Sequence, residues 1–207
     1  MRDKDVAQTP GAVAQHLDPR VLRTRKRVVH AVARLLAERG IAGVTMERVA
    51  SEAGVARSTL YRYWDGPDAL VAEMVDAFVD IPDVPDSGDL RRDLVNLLGG
   101  MAEQLQSEST WAQVLPSVIA AARVEPEIRR RADRQASTRV DALRAVLDRA
   151  TERHQLDTHV DLDVVLDQLI GPLYYRSLVR ELDTDRGWVQ DHVAAVLHAQ
   201  SPSLRPA

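Results

Sequence analysis

Between Arg57 and Tyr63 the chain reads Arg57-Ser58-Thr59-Leu60-Tyr61-Arg62-Tyr63, with two arginines, two hydroxyls and two tyrosines around a single leucine. Arginine can take a guanine edge with two parallel N–H donors, while serine, threonine and tyrosine hydroxyls hold phosphates. Coiled as a short helix, the segment would turn Leu60 inward with Val49, Ala50 and Val55. Arg57, Ser58, Thr59, Tyr61 and Arg62 would then stay outside, as on a helix that enters a major groove. Other chemistry is poorly supplied. The sequence has no cysteine, which removes disulfides, zinc–thiolate sites and thiol nucleophiles. It has no G-x-S-x-G, P-loop or G-x-G-x-x-G. His154, His159, Asp161 and Asp163 cluster in a connector without an HExxH-like helical ligand pair, and read as a solvated acidic loop. No catalytic residue, metal or cofactor is expected.

Positioning such a helix needs neighbours, and the sequence supplies helical period almost everywhere. Val28, Val32, Leu35 and Leu36 give one apolar face between Arg20 and Arg39, ended by Gly40. Thr45 stands where a hydroxyl can cap a second helix carrying Val49 and Ala50, with Glu47 in its first turn. Ala53-Gly54-Val55 makes a tight turn, so the segment from Val44 to Tyr63 reads as a helix-turn-helix. Asp65-Gly66-Pro67 turns the chain into a fourth helix with Leu70, Met74, Val75 and Phe78. Pro82, Pro85 and Gly88 mark a connector. Five further helices follow: Leu90–Gln106, Thr110–Val124, Pro126 to about His154, Asp161–Leu182 and Gly187–Ala199. Pro172, inside an apolar helical pattern, implies a kink or break. Gly99-Gly100 and Pro116 read as irregularities where a bundle can open.

Charge follows the same division. The 207 residues carry 27 basic and 31 acidic side chains, a formal −4. Residues 20–63 hold ten basic and three acidic ones, a local +7, whereas residues 64–207 hold 15 and 25, a local −10. A protein basic all over is excluded, but a basic end that meets a polyanion is not. The expected fold is all-α, of about nine helices, in three parts: a tail at 1–19, a DNA-binding unit at 20–66 and a helical bundle at 67–207. Met1 to Asp18 lack the apolar stretch of a secretory leader, and no apolar run reaches the ~18 residues of a membrane span. The chain therefore reads as soluble and cytoplasmic, with no membrane partner.

The run Thr45-Met46-Glu47-Arg48-Val49-Ala50, then Ala53-Gly54-Val55-Ala56-Arg57-Ser58-Thr59-Leu60-Tyr61-Arg62-Tyr63-Trp64, then Leu70, resembles the DNA-binding domain of the TetR family of transcriptional regulators. The resemblance implies a homodimer that binds a palindromic operator on double-stranded DNA, acts most often as a repressor and is released by a small-molecule effector. It also implies that Thr45 caps helix two beside a phosphate. Arg57, Ser58 and Arg62 then face bases, Tyr61 lies near base or backbone, and Thr59 and Tyr63 hold phosphates. Pro67 stands where many members have a phosphate-gripping lysine. Arg23, Arg25 and Lys26, read as lying ahead of helix one, could compensate.

Residues 163–179, with Gly171-Pro172-Leu173-Tyr174-Tyr175-Arg176, and Gly187 to Leu197 are similar to the last two helices of one TetR subgroup. In the family these helices pair with a partner copy, which makes Leu166, Leu169, Tyr174, Val193 and Val196 expected interface residues. Met101, Leu105, Trp111, Leu115, Ile119, Leu143 and Leu147 are candidate liners of a pocket for a mainly apolar effector. The local −10 disfavours a strongly anionic one, although Arg123 could pair with one carboxylate. An all-α protein-interaction or four-helix-bundle protein without DNA binding is the alternative; the basic 20–63 segment and the Arg57–Tyr63 face favour the regulator.

Overall fold

The computed structural model describes residues 19–78, 83–106, 108–156 and 159–200. The tail expected at 1–18 lies outside them. Pro19, placed in that tail, instead opens the first helix, a position that suits its fixed φ and missing N–H. Among the described residues there are nine α-helices and no strand: α1 (Pro19–Arg39), α2 (Met46–Ala53), α3 (Arg57–Tyr63), α4 (Pro67–Ala77), α5 (Leu90–Gln104), α6 (Thr110–Ala122), α7 (Pro126–Glu152), α8 (Leu162–Tyr174) and α9 (Arg186–Ala199).

Helix ends fall where local chemistry can satisfy them. Gly40, at φ 64°, follows α1, and a short 3₁₀ turn over Ile41–Gly43 leads to Thr45. The Thr45 hydroxyl accepts from the Arg48 amide at 3.3 Å. Asp89, Ser109, Asp161 and Asp185 cap α5, α6, α8 and α9 in the same manner. Each such cap is worth about 1 kcal/mol.

One apolar cluster runs through the molecule, from Val28 in α1 to Val196 in α9. Helix α4 packs on both α1 and α7, and α1 also packs on α6. The boundary expected at 66/67 is therefore a turn inside a shared core. Helix α5 passes through Gly99 and Gly100, and α6 through Pro116, without interruption, while Pro126 merely starts α7. The helices keep their ladders at these positions, and the space beside Gly99 and Gly100 is open, with no heavy atom of another element within 4 Å of where a Cβ would stand. The α-helix likewise continues through Pro172, and the irregularity comes later, as a π-helical turn over Tyr175–Val179. A proline lacks one ladder donor, and wider turns follow it here. No helix among the described residues is long and apolar enough to cross a membrane.

Candidate nucleic-acid interface and cavity

Leu60 is fully buried and anchors α3, a burial worth about 1.5–3 kcal/mol. Arg57, Ser58, Tyr61, Arg62 and Tyr63 are exposed around it and Thr59 is half-buried. Leu60 is thus inward and Arg57, Ser58, Tyr61 and Arg62 outward as expected, with Thr59 partly withdrawn. Arg57 makes an ion pair with Glu47 in the first turn of α2, and both side chains are more than half exposed. An exposed pair of this kind is worth about 0–1 kcal/mol, less than the ~1–3 kcal/mol of a good bidentate base contact. Glu47 therefore parks Arg57 without locking it.

The turn between α2 and α3 is held from α1. Gly54 sits at φ 60°, and Arg27 Nη2 donates to its carbonyl at 3.0 Å. A Cβ on Gly54 would meet that same nitrogen at 2.6 Å. Arg34 of α1 pairs with Glu52 of α2. Arg27 and Arg34 were missed in the sequence, where they are two of the nine arginines in the basic segment. Nothing in local spacing says that they face inward to the turn.

Arg25 and Lys26 lie inside α1, not ahead of it. Arg25 is turned toward the protein. Its Nε stands 3.6 Å from Glu73 Oε1, and its guanidinium lies 5.9 Å from the Trp64 ring centre. Glu73 also accepts from Trp64 Nε1 at 2.7 Å. Arg25 thus clamps α1 to α4 through the buried Trp64. Lys26 is exposed.

In the acidic bundle a cavity of about 510 Å³ opens beside α5 and α7. Of the expected liners, Met101 and Leu143 face it. Leu105, Trp111, Leu115 and Leu147 are buried in the apolar core, where Trp111 packs on Phe78 at 5.6 Å between ring centres. Ile119 and Arg123 are corrected outright: both are exposed on α6 and its cap, on the side the core does not use. The cation that lines the cavity is Arg139, together with Gln104 and with Asp83 and Glu103. Arg139 is only 6% exposed and donates through Nη2 to Gln104 Oε1. A signal existed, since Arg139 sits four residues before Leu143 on the inward stripe of α7.

The expected interface residues are also relocated. Leu166, Leu169, Val193 and Val196 are buried within the chain, because α8 and α9 pack on each other and on α5. Tyr174 is half-buried; burial holds its hydroxyl above the usual tyrosine range, against the opposing pull of the Arg139 charge. The apolar side chains that α8 and its π turn do expose are Val164, Tyr175 and Val179, with Leu182 beyond. Periodicity picks out the buried stripe, because the outer face of α8 mixes these apolar side chains with Asp163, Asp167 and Gln168. Asp161 caps α8, and Asp163, in the first turn of that helix, pairs with Arg144. No group of three or more histidine or acidic side chains among the described residues is placed to hold a metal ion.

The comparisons agree with this geometry. Residues 28–74 match the bacterial regulatory proteins of the tetR family, and residues 84–196 match the tetracyclin repressor-like C-terminal domain. The chain is 26% identical over 177 residues to the uncharacterized HTH-type transcriptional regulator YdeS of Bacillus subtilis, spanning 84% of this chain and 88% of that protein. It is 28% identical over 181 residues to the HTH-type transcriptional regulator AqdR of Rhodococcus erythropolis, spanning 85% and 84%. Among solved structures, the TetR family transcription regulator SCO0332 aligns with a TM-score of 0.61 at 31% identity, over 87% of this chain and all 100% of that one. MexZ, a key repressor responsible for antibiotic resistance in Pseudomonas aeruginosa, has the same fold, with a TM-score of 0.69 at 21% identity over 89% and 99%. With both halves matched and the helix-turn-helix built as described, the chain belongs to the tetR family of transcriptional regulators.

Proposed function

We propose that the protein is a ligand-responsive repressor that binds a palindromic operator as a homodimer and leaves it when a small molecule enters the α5–α7 cavity. The observation that carries the reading is α3 itself: Leu60 is fully buried while Arg57, Ser58, Tyr61, Arg62 and Tyr63 stand exposed on one short helix. Arg57 and Arg62 read base edges, Tyr61 lies at base or backbone, and Thr45, Thr59, Tyr63 and Lys26 hold phosphates. Two-fold symmetry follows from the need to read two half-sites. Val164, Tyr175 and Val179 supply the exposed apolar strip of the dimer, with Tyr174 at its edge. The named repressor MexZ, of like fold, supports the sign of regulation.

The experiment is a gel shift with the DNA upstream of the protein's own coding region, with wild type and Arg57→Ala, alongside light scattering. Wild type is expected to retard a palindromic fragment as a dimer, and Arg57→Ala to lose the preferred sequence. A wild-type monomer at micromolar concentration, or equal retardation of any DNA, overturns the reading.

A further inference from the structure

We propose that the α5–α7 cavity takes a small amphipathic monocarboxylate, its anionic head on Arg139 and its apolar body along Leu97, Met101 and Leu143. The proposal deepens the repressor reading, on which its regulatory half rests. It keeps the expectation that a strongly anionic ligand is disfavoured and moves the pairing with one carboxylate from Arg123 to Arg139. A charge sum averages over the solvated surface, whereas one buried cation decides what a cavity prefers.

Arg139 is unusual among its neighbours. Arg129, Arg130, Arg131, Arg144 and Arg149 of α7, and Arg153 at its end, each pair with a carboxylate. Arg134 is exposed to water. Arg139 is 94% out of water, at 6% exposure, and has no carboxylate within 4.0 Å among the described residues. Its bond is to the neutral Gln104. Its Nε and Nη1 bond no described residue, yet neither is sealed off, since the fully buried unpartnered side-chain nitrogen of the described residues is Arg25 Nε. Nε and Nη1 thus keep donors for the cavity that Arg139 lines, and a two-bond fork there uses the second hydrogen of Nη2 beside one of them. A guanidinium withdrawn from water without a counter-ion is unfavourable, and its fork matches a carboxylate with two parallel bonds.

The rest of the lining fits one charge and an apolar body. Leu97, Met101 and Leu143 are buried wall residues, and Met101 can adapt its shape to the ligand. Asp83 and Glu103 also line the cavity, but both are exposed and screened by water. They repel a second negative charge and so argue for a monoanion. The volume of about 510 Å³ lies within the range of small-molecule sites.

The test is calorimetry on the full-length protein with two matched probe sets. One is decanoate, decanol and decyltrimethylammonium. The other is naphthoate, naphthalenemethanol and naphthylmethylammonium. The carboxylate of at least one set is expected to bind about tenfold or more tighter than its neutral and cationic analogues, the worth of a buried charge-assisted bond. Arg139→Gln should abolish that ranking while leaving the neutral probe's affinity alone, and Arg139→Lys should restore part of it. Should Arg139→Gln fail to fold, the wild-type head-group ranking still decides. The proposal is overturned if neutral or cationic probes bind as well as carboxylates, if neither carboxylate binds, or if the preference survives in Arg139→Gln. Operator binding without any probe is read separately: its absence sinks the repressor reading and leaves the head-group ranking standing. A carboxylate that binds without releasing operator removes the regulatory half alone.

Discussion

The side-chain amide of Gln135, in the middle of α7, donates to the main-chain carbonyl of Phe78 at the end of α4, 3.3 Å away and 57 residues distant in sequence. Four residues before Gln135, Arg131 pairs with Asp76 of α4; four residues after it, Arg139 lines the cavity. One stripe of α7 therefore touches both the end of α4 and the cavity wall. Gln135→Leu should leave the Phe78 carbonyl without its partner at about 1–3 kcal/mol. For a chain of this size the melting midpoint should fall by several degrees. An unchanged midpoint in a thermal melt would show that the bond contributes nothing.

Arg57 and Glu47 make a second testable pair. Freeing Arg57 by Glu47→Gln should tighten operator binding by up to about fivefold, because the exposed pair is worth at most about 1 kcal/mol. Arg57→Ala should weaken the best site by about 1–3 kcal/mol and flatten the ranking of related sites. Fluorescence anisotropy on a set of single-base operator variants reads both. An Arg57→Ala protein with an intact ranking would remove Arg57 from the base-reading set.

Lys26 and Arg25 are adjacent and should behave oppositely. Lys26→Met should lower the slope of log affinity against log salt by roughly one unit, as expected for one lost phosphate contact. Arg25→Met should leave the slope alone and lower thermal stability instead, since Arg25 is engaged with Glu73 and Trp64. A reversed result would put Arg25 back on the DNA.

Gly54 carries both a left-handed φ of 60° and the close approach of Arg27. Gly54→Ala should cost about 1–2 kcal/mol in backbone strain alone and loosen the hold of α1 on the α2–α3 turn. Gly66, extended at φ −178° with open space around it, serves as the control, and Gly66→Ala should be close to neutral. Urea denaturation of both variants gives the comparison.

Tyr174 links cavity and pH. Its hydroxyl titrates above the ordinary value of 10.0 because it is buried, and Arg139 opposes that rise. A group bound more tightly to its proton when folded favours folding below its unfolded pKa. That contribution is lost as the pH climbs from about 10 through the folded value. Tyr174→Phe should therefore blunt the alkaline loss of stability, and Arg139→Gln should push the titration higher still. Ultraviolet absorbance against pH measures the latter, with Tyr174→Phe identifying the signal.

Much of the helix-turn-helix is legible because its determinants are local. Thr45, Gly54 and Leu60 sit at fixed offsets, and capping, a left-handed turn and one inward side chain follow from residue type. The contacts of Arg25 with Glu73 and Trp64, some forty residues on, are beyond the reach of any spacing signal. The bundle was legible as helices but not as surfaces. Leu169 and Val193 look like an exposed strip until α5 is known to cover α9. Ile119 and Arg123 were placed inside because α6 is apolar nearly all round, which leaves no sequence signal for its outer side. Arg139 is hard to pick out because α7 is crowded with arginines, and its one sequence signal is its place four residues before Leu143 on the inward stripe.

The sharing of α4 between α1 and α7 has a consequence for anyone who would transplant the reading head of this protein. A graft joined at residue 66 would give a foreign head the native α4, whose Glu73 expects Arg25 and Trp64. A graft joined after residue 78 would instead bring a foreign α4 to Arg131 and Gln135, which expect Asp76 and the end of the native helix. Neither seam is clean, so a working hybrid must exchange α1 to α4 as a unit and re-match positions 131 and 135 on the recipient's longest helix.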